Sequence, residues 1–319
     1  MTYPLRGGAS GAARILLLAL VAGVAACGFE APAPEPLPAR LDVSWIPEQP
    51  VQGRLFQVVV DADRPGDLDR IAAEFAGEPL HFRQLSPGRY AALAASRVDA
   101  EGELELPVVA RWADGARDSV TLAVPIRDGE YRHERLRVAP RFGTPPDSAT
   151  RERQRREGQR AREVSRLSHS TPRLWDGELV HPRPSRITSG FGHGREYNGQ
   201  ITGRHMGTDF AGAVGAPIYA PARGIVALVD DFFLGGGVVY IDHGAGLVTG
   251  YLHVSEKLVE EGDMVEPGQL IARVGATGRV TGPHLHWLVR YGGITVDPLS
   301  LLDVMAIDLA AATELEPAT

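Results

Sequence analysis

From Gly215 to Tyr291 the apolar residues come in short bursts broken by glycine and turn residues: GAPIYAPARGIVALVDD, GGVVYIDHG, GLVTGYLHV, QLIARVGAT and PHLHWLVRY. None sustains the three-to-four spacing of an amphipathic helix, and each has the length and bounds of a β-strand. The pattern predicts a compact antiparallel sheet within residues 176–303 and argues against a helical domain there. Functional side chains are therefore expected on strands and on the loops that join them.

Upstream, residues 41–140 carry further short runs, RLDVSWI, GRLFQVVVDA, GRYAALAAS, GELELPVVARW, DSVTLAVPI and ERLRVAP, separated by turns such as ADGA and RDGE. Their alternation predicts a small antiparallel sandwich of the immunoglobulin-like class. His81 and His133 have no cluster around them in the sequence and read as surface or edge residues. Residues 141–175 change character: Arg151 to Arg166 is dominated by arginine with interspersed glutamate, which predicts a charged, solvated helical linker, weakened at Gly158. The fold class expected is mostly β, two β domains joined by that helix.

The chain opens with Arg6 and Arg14 around a polar start, then ILLLALVAGVAA, of the length of a signal-peptide h-region and short for a membrane span. VAAC closes it, and Cys27 is the sole cysteine, so no internal disulfide can form. The run resembles a bacterial lipobox. It implies a signal peptide at 1–26, lipidation of Cys27, a proline-rich tether at 27–40 spanning about 40 Å, and attachment to a membrane, with Gly28 favouring the outer membrane facing the periplasm. Residues 304–319 read as an acidic tail. A net charge of −7 and a pI near 5.8 give no footprint for nucleic acid.

GRHMGTDFAG sets His205 and Asp209 four apart in a stretch too glycine-rich for a helix, so they can converge only if the backbone bends between them. GPHLHW sets His284 and His286 on one face of a strand, and GYLHVSE adds His253. Four histidines and one carboxylate without a thiolate suit a catalytic zinc site, which keeps one position open, better than a structural one.

With these residues in view, the region 176–302 resembles the lysostaphin-type, LytM-like zinc metalloendopeptidases that cut peptidoglycan. His205 and Asp209 match the family's His-x-x-x-Asp motif, His284 and His286 its His-x-His motif, and His253 its intermediate histidine; SGFG, YNG, APARGIV and GATGRVTGPHLHW extend the likeness. The resemblance implies one zinc ion on His205, Asp209 and His286. His284 is then the better candidate for general base and His253 for the oxyanion side, although the sequence does not separate the two roles. Asn198 falls where the family often has an asparagine near the metal; its readings are a latent-form ligand, a groove residue or a simple turn. Arg279 and Thr281 read as loop residues bordering a substrate groove. The substrate implied is a peptidoglycan peptide, D-alanyl-diaminopimelate for an envelope of two membranes. The alternative is a non-catalytic lipoprotein that binds cell wall or activates an amidase, and the sequence names no protein partner. A biotinyl or lipoyl carrier is disfavoured because Lys257 precedes the hairpin where a cofactor lysine would stand.

Overall fold

The computed structural model describes residues 40–64, 68–177 and 179–304. The readings of the signal peptide, Cys27, the tether and the tail beyond 304 lie outside these residues.

Strands β1 (Leu41–Ile46), β2 (Leu55–Ala62), β3 (Leu68–Phe75), β4 (Glu78–Pro79), β5 (Arg83–Ser86), β6 (Arg89–Ala95), β7 (Glu103–Trp112) and β8 (Arg117–Pro125) form two four-stranded antiparallel sheets. Their orders are β1-β2-β6-β5 and β4-β3-β7-β8. Alternation along β7 turns Leu106, Val108, Ala110 and Trp112 inward while Glu103, Glu105 and Arg111 face water. Phe56 of one sheet meets Phe75 of the other edge-on, ring centroids 5.1 Å apart, so the sheets share a core. Burying each of these rings contributes about 1.5–3 kcal/mol.

The segment ERLRVAP departs from the expected sandwich. It forms β9 (His133–Leu136), which runs parallel to β11 (Gly194–Tyr197) with Glu134 opposite Arg195. Opposite charges facing each other across the ladder favour this pairing. After a single turn, α1 (Pro140–Gly143), comes the long helix α2 (Ser148–Leu167). Asp147 caps it, accepting from Thr150 N at 2.7 Å, and it continues through Gly158.

The helix is not a solvated spacer. Ala161 is 2% exposed and packs with Leu228, Phe232, Val238, Tyr240, Val248 and Leu288 of the C-terminal sheet. The sequence conceals this because the buried stripe is made of small residues, Ala161 and Ser165, between arginines. Those arginines reach onto the sheet's rim: Arg160 pairs with Asp230, and Arg153 Nη2 donates to Asp231 O at 3.0 Å.

The C-terminal region adds β10 (Ile187–Ser189), β12 (Ile201–Arg204), β13 (Thr208–Ala211), β14 (Pro217–Tyr219), β15 (Gly224–Phe232), β16 (Gly236–Gly244), β17 (Leu247–Lys257), β18 (Met264–Val265), β19 (Leu270–Val274), β20 (His284–Tyr291) and β21 (Ile294–Val296). Its main sheet is ordered β10-β13-β20-β17-β16-β15-β18, and β9, β11 and β12 form a smaller sheet beside it. β16 is buried along its whole length, which requires cover on both faces. Val238 and Tyr240 face α2, and Val239 and Ile241 face the main core.

That core is continuous with the sandwich. Leu55 N donates to Ser300 Oγ at 3.0 Å, and the Tyr291 hydroxyl donates to Pro79 O at 2.8 Å. His81, expected to stand alone, lies in the same junction with its Nε2 2.8 Å from His169 Nδ1, while His169 Nε2 lies 2.9 Å from Glu78.

Candidate metal centre

Strand register brings the first two groups together, since β13 and β20 run antiparallel with Asp209 directly opposite His286. His205 precedes β13, and the bend that returns it passes through Gly207. A Cβ there would lie 2.5 Å from His286 Nε2 and 2.6 Å from Trp287 O, so only glycine admits so close an approach. Through that bend, residues four apart converge without a helix. His205 Nε2 lies 3.0 Å from Asp209 Oδ1 and 3.0 Å from His286 Nδ1, and His286 Nδ1 lies 2.8 Å from the same oxygen.

The chemistry of this donor set fits a cation. His205 Nδ1 is 2.6 Å from Gly190 O, which can only accept, so the proton sits on Nδ1 and Nε2 carries a lone pair. That lone pair, a carboxylate oxygen and His286 Nδ1 therefore point at one place. Tetrahedral zinc with bonds of about 2.1 Å holds its ligand atoms about 3.4 Å apart, slightly wider than this cluster. Among the described residues His205, Asp209 and His286 form the group whose ligand atoms could hold a metal ion.

His253 and His284 stand beside it. His253 Nδ1 donates to Thr277 O at 2.8 Å and His284 Nδ1 to Gly282 O at 2.9 Å, which leaves both Nε2 atoms as acceptors. His284 Nε2 is 3.6 Å from Asp209 Oδ1, and the two imidazoles have centroids 4.9 Å apart. His253 adopts φ +64, in the left-handed region, where the β16–β17 register shifts. The irregularity takes the ring out of ordinary strand alternation and into the cleft.

The second oxygen of Asp209 is also held. Arg195 Nη2 donates to Oδ2 at 2.9 Å and to Ser189 Oγ at 2.8 Å, and Arg195 Nε donates to Glu134 at 3.1 Å. Glu134 also accepts from Ser189 Oγ at 2.9 Å and from His193 Nδ1 at 2.9 Å. Burial pushes the Asp209 carboxyl up, but its contacts with the His205 and His286 rings outweigh this and hold it well below the usual carboxylate range. Burial pushes His286 down to about 4 against the pull of Asp209, and burial with His286 and His284 nearby takes His253 well below the ordinary imidazole value. Neutral imidazoles with available lone pairs are what a divalent ion requires.

A cleft of about 590 Å³ opens over these groups, with Asp209, His253, His284, Arg279 and Thr281 on its walls. Arg279 and Thr281 stand on the loop side of this cleft. Asn198 turns elsewhere: at φ +52 in the β11–β12 turn, its Oδ1 accepts from Val138 N and its Nδ2 donates to Val138 O, both at 3.0 Å. It is a turn residue pinning the segment after β9. The sequence reading missed Glu134, Ser189, His193 and Arg195. Glu134 lies far upstream in a run read as sandwich, and Arg195 is one of many arginines, so only the parallel β9–β11 pairing singles them out.

Residues 203–298 match the model of peptidase family M23. Peptidoglycan DD-endopeptidase ShyB of Vibrio cholerae is 40% identical over 137 residues, 42% of this chain and 32% of that protein. ShyA of the same organism, also named a peptidoglycan DD-endopeptidase, is 47% identical over 83 residues, 26% of this chain and 19% of its own. The chain thus spans a third or less of the length of these curated relatives. A solved structure described as a candidate peptidase M23 from Pseudomonas aeruginosa aligns with a TM-score of 0.61 at 28% identity, covering 80% of this chain and 96% of that one. Such coverage takes in the upstream sheets as well as the C-terminal region.

Proposed function

From residues 203–298, a peptidase family M23 domain, we propose that this chain is a zinc-dependent endopeptidase that hydrolyses peptide cross-links of peptidoglycan. The observation that carries the reading is the convergence of His205 Nε2, Asp209 Oδ1 and His286 Nδ1 within 3.0 Å, with His253 and His284 beside them. In this reading the first three hold zinc, which supplies a nucleophile active at neutral pH and polarises the scissile carbonyl.

The remaining work falls to the chain's own groups. With its proton fixed on Nδ1, His284 presents Nε2 to take a proton from the attacking water and return it to the leaving amine. His253, held the same way by Thr277 O, likewise presents Nε2 to the cleft; once that nitrogen also carries a proton it donates to the developing oxyanion. Arg195 keeps one Asp209 oxygen engaged so that the other is offered in a single orientation. The cleft orients the peptide between β9 and the loop at 279–284.

D-alanyl-diaminopimelate is the bond proposed, supported by relatives named as DD-endopeptidases. The VAAC sequence supports export and attachment of Cys27 to the outer membrane, facing the cell wall. Digestion of diaminopimelate-type peptidoglycan with zinc or with chelator, read by mass spectrometry, tests the proposal. Cross-linked dimers should become monomers only when zinc is present; zinc-loaded protein that releases nothing sinks the reading.

A further inference from the structure

The cleft is unbalanced in charge. Four arginines, Arg135, Arg186, Arg195 and Arg279, line it against two carboxylates, Glu134 and Asp209. Both carboxylates are committed to Arg195. Arg135 reaches Glu196 at 3.6 Å. Arg279 has no carboxylate partner among the described residues, and the groups that act on its charge are Tyr197 and Arg195.

Arg279 is nonetheless built in. Its guanidinium lies 3.9 Å from the centroid of the buried Tyr197 ring, which supports one face and leaves the donor edge free. Its backbone N donates to Leu234 O at 2.9 Å. Gly278 sits so close to that turn that a Cβ would meet Gly236 N at 2.4 Å and Leu234 O at 2.5 Å. Two residues earlier, Thr277 O orients His253. One pinned loop therefore sets both the imidazole and the guanidinium, and the two residues together line the main cleft and the smaller hollow on its other side.

A partly desolvated guanidinium with an open donor edge favours a planar anion that takes two hydrogen bonds at once. We propose that Arg279 is a specificity-determining residue that binds a substrate carboxylate beside the scissile amide. This rests on the endopeptidase reading of the same site. In a D-alanyl-diaminopimelate cross-link the scissile nitrogen is bonded to a carbon that carries a carboxylate, so the substrate brings the missing counter-charge next to the bond that breaks. A cross-bridge made only of glycine offers no such group.

The test uses the full zinc-loaded chain and two purified cross-linked muropeptide dimers, identical except that the carboxylate flanking the scissile amide is free in one and a carboxamide in the other. Wild type should favour the free carboxylate about 10- to 100-fold in kcat/KM. Arg279→Gln should bring the ratio near one, and Arg279→Lys, a point charge without the fork, should leave it in between, both with wild-type zinc content. A wild type that cuts both dimers equally, or a preference that survives in R279Q, overturns the proposal while the endopeptidase stands. Should wild type cut neither dimer, equilibrium binding decides. Tighter binding of the free-carboxylate dimer, lost in R279Q, sinks the endopeptidase reading but sustains the carboxylate site; equal binding overturns both.

Discussion

Arg195 binds Oδ2 of Asp209 at 2.9 Å, while Oδ1 of the same carboxylate is the atom that His205 and His286 approach. The guanidinium thereby fixes which oxygen is offered to a cation. Outer partners of this kind typically change metal affinity or activity by 10- to 100-fold. Arg195→Gln should weaken zinc binding within that range, and Glu134→Gln, one step further out, should weaken it less. Competition titration against a chromophoric chelator checks both.

Removing the metal should cost stability as well as activity. Without a cation, the His205 lone pair, the Asp209 carboxylate and His286 Nδ1 face one another at 2.8–3.0 Å. Zinc at a hundred times its dissociation constant should stabilise the fold by about 2.7 kcal/mol. Thermal melts with chelator, and after zinc is restored, should show a reversible shift in Tm.

His205→Ala and His284→Ala should fail differently. The first should lose zinc stoichiometry and activity together. The second should keep the metal and lower kcat by about 10²- to 10⁴-fold, the range for a missing general acid or base. Metal analysis beside single-turnover digestion separates the two. Loss of zinc in the His284 variant would move that residue into the ligand set.

Acid should unfold the chain through a histidine outside the metal centre. His243 is fully buried, donates from Nδ1 to Arg223 O at 2.8 Å and accepts at Nε2 from Thr249 at 2.8 Å; burial pushes its pKa down to about 4 against Arg223 and Asp242. Between that value and the unfolded value of about 6.5 the unfolded chain binds the extra proton, so stability present above pH 6.5 is lost as pH falls towards 4. The full effect is about 3 kcal/mol. Urea unfolding of His243→Gln should show a shallower fall over this window.

Ala161→Glu should detach α2. It places a carboxylate among Leu228, Phe232 and Val238 and should cost about 3 kcal/mol or more. Faster proteolysis around residues 144–147 should accompany the loss.

What the sequence reveals follows from how local the determinants are. Strand alternation and glycine spacing expose both β regions, and His205, Asp209, His253, His284 and His286 announce themselves because few side chains bind metals. Nothing local says that Glu134 leaves the sandwich to face Arg195, because that pairing joins segments some sixty residues apart. The docking of α2 is hidden for a different reason: its contact is an alanine, and the arginines around it read as solvent-facing whether or not a sheet lies beneath.

The parallel pairing of β9 with β11 also limits how this protein can be divided and exchanged. A graft of residues 203–298 onto another scaffold would carry all five histidine and aspartate positions yet leave behind Arg195 and Glu134, and with them the grip on Asp209. A cut at residue 176 keeps Arg195 but strips its upstream anchor. The smallest inheritable unit that transfers a fully braced centre therefore begins before His133, inside what looks from the sequence like a separate module.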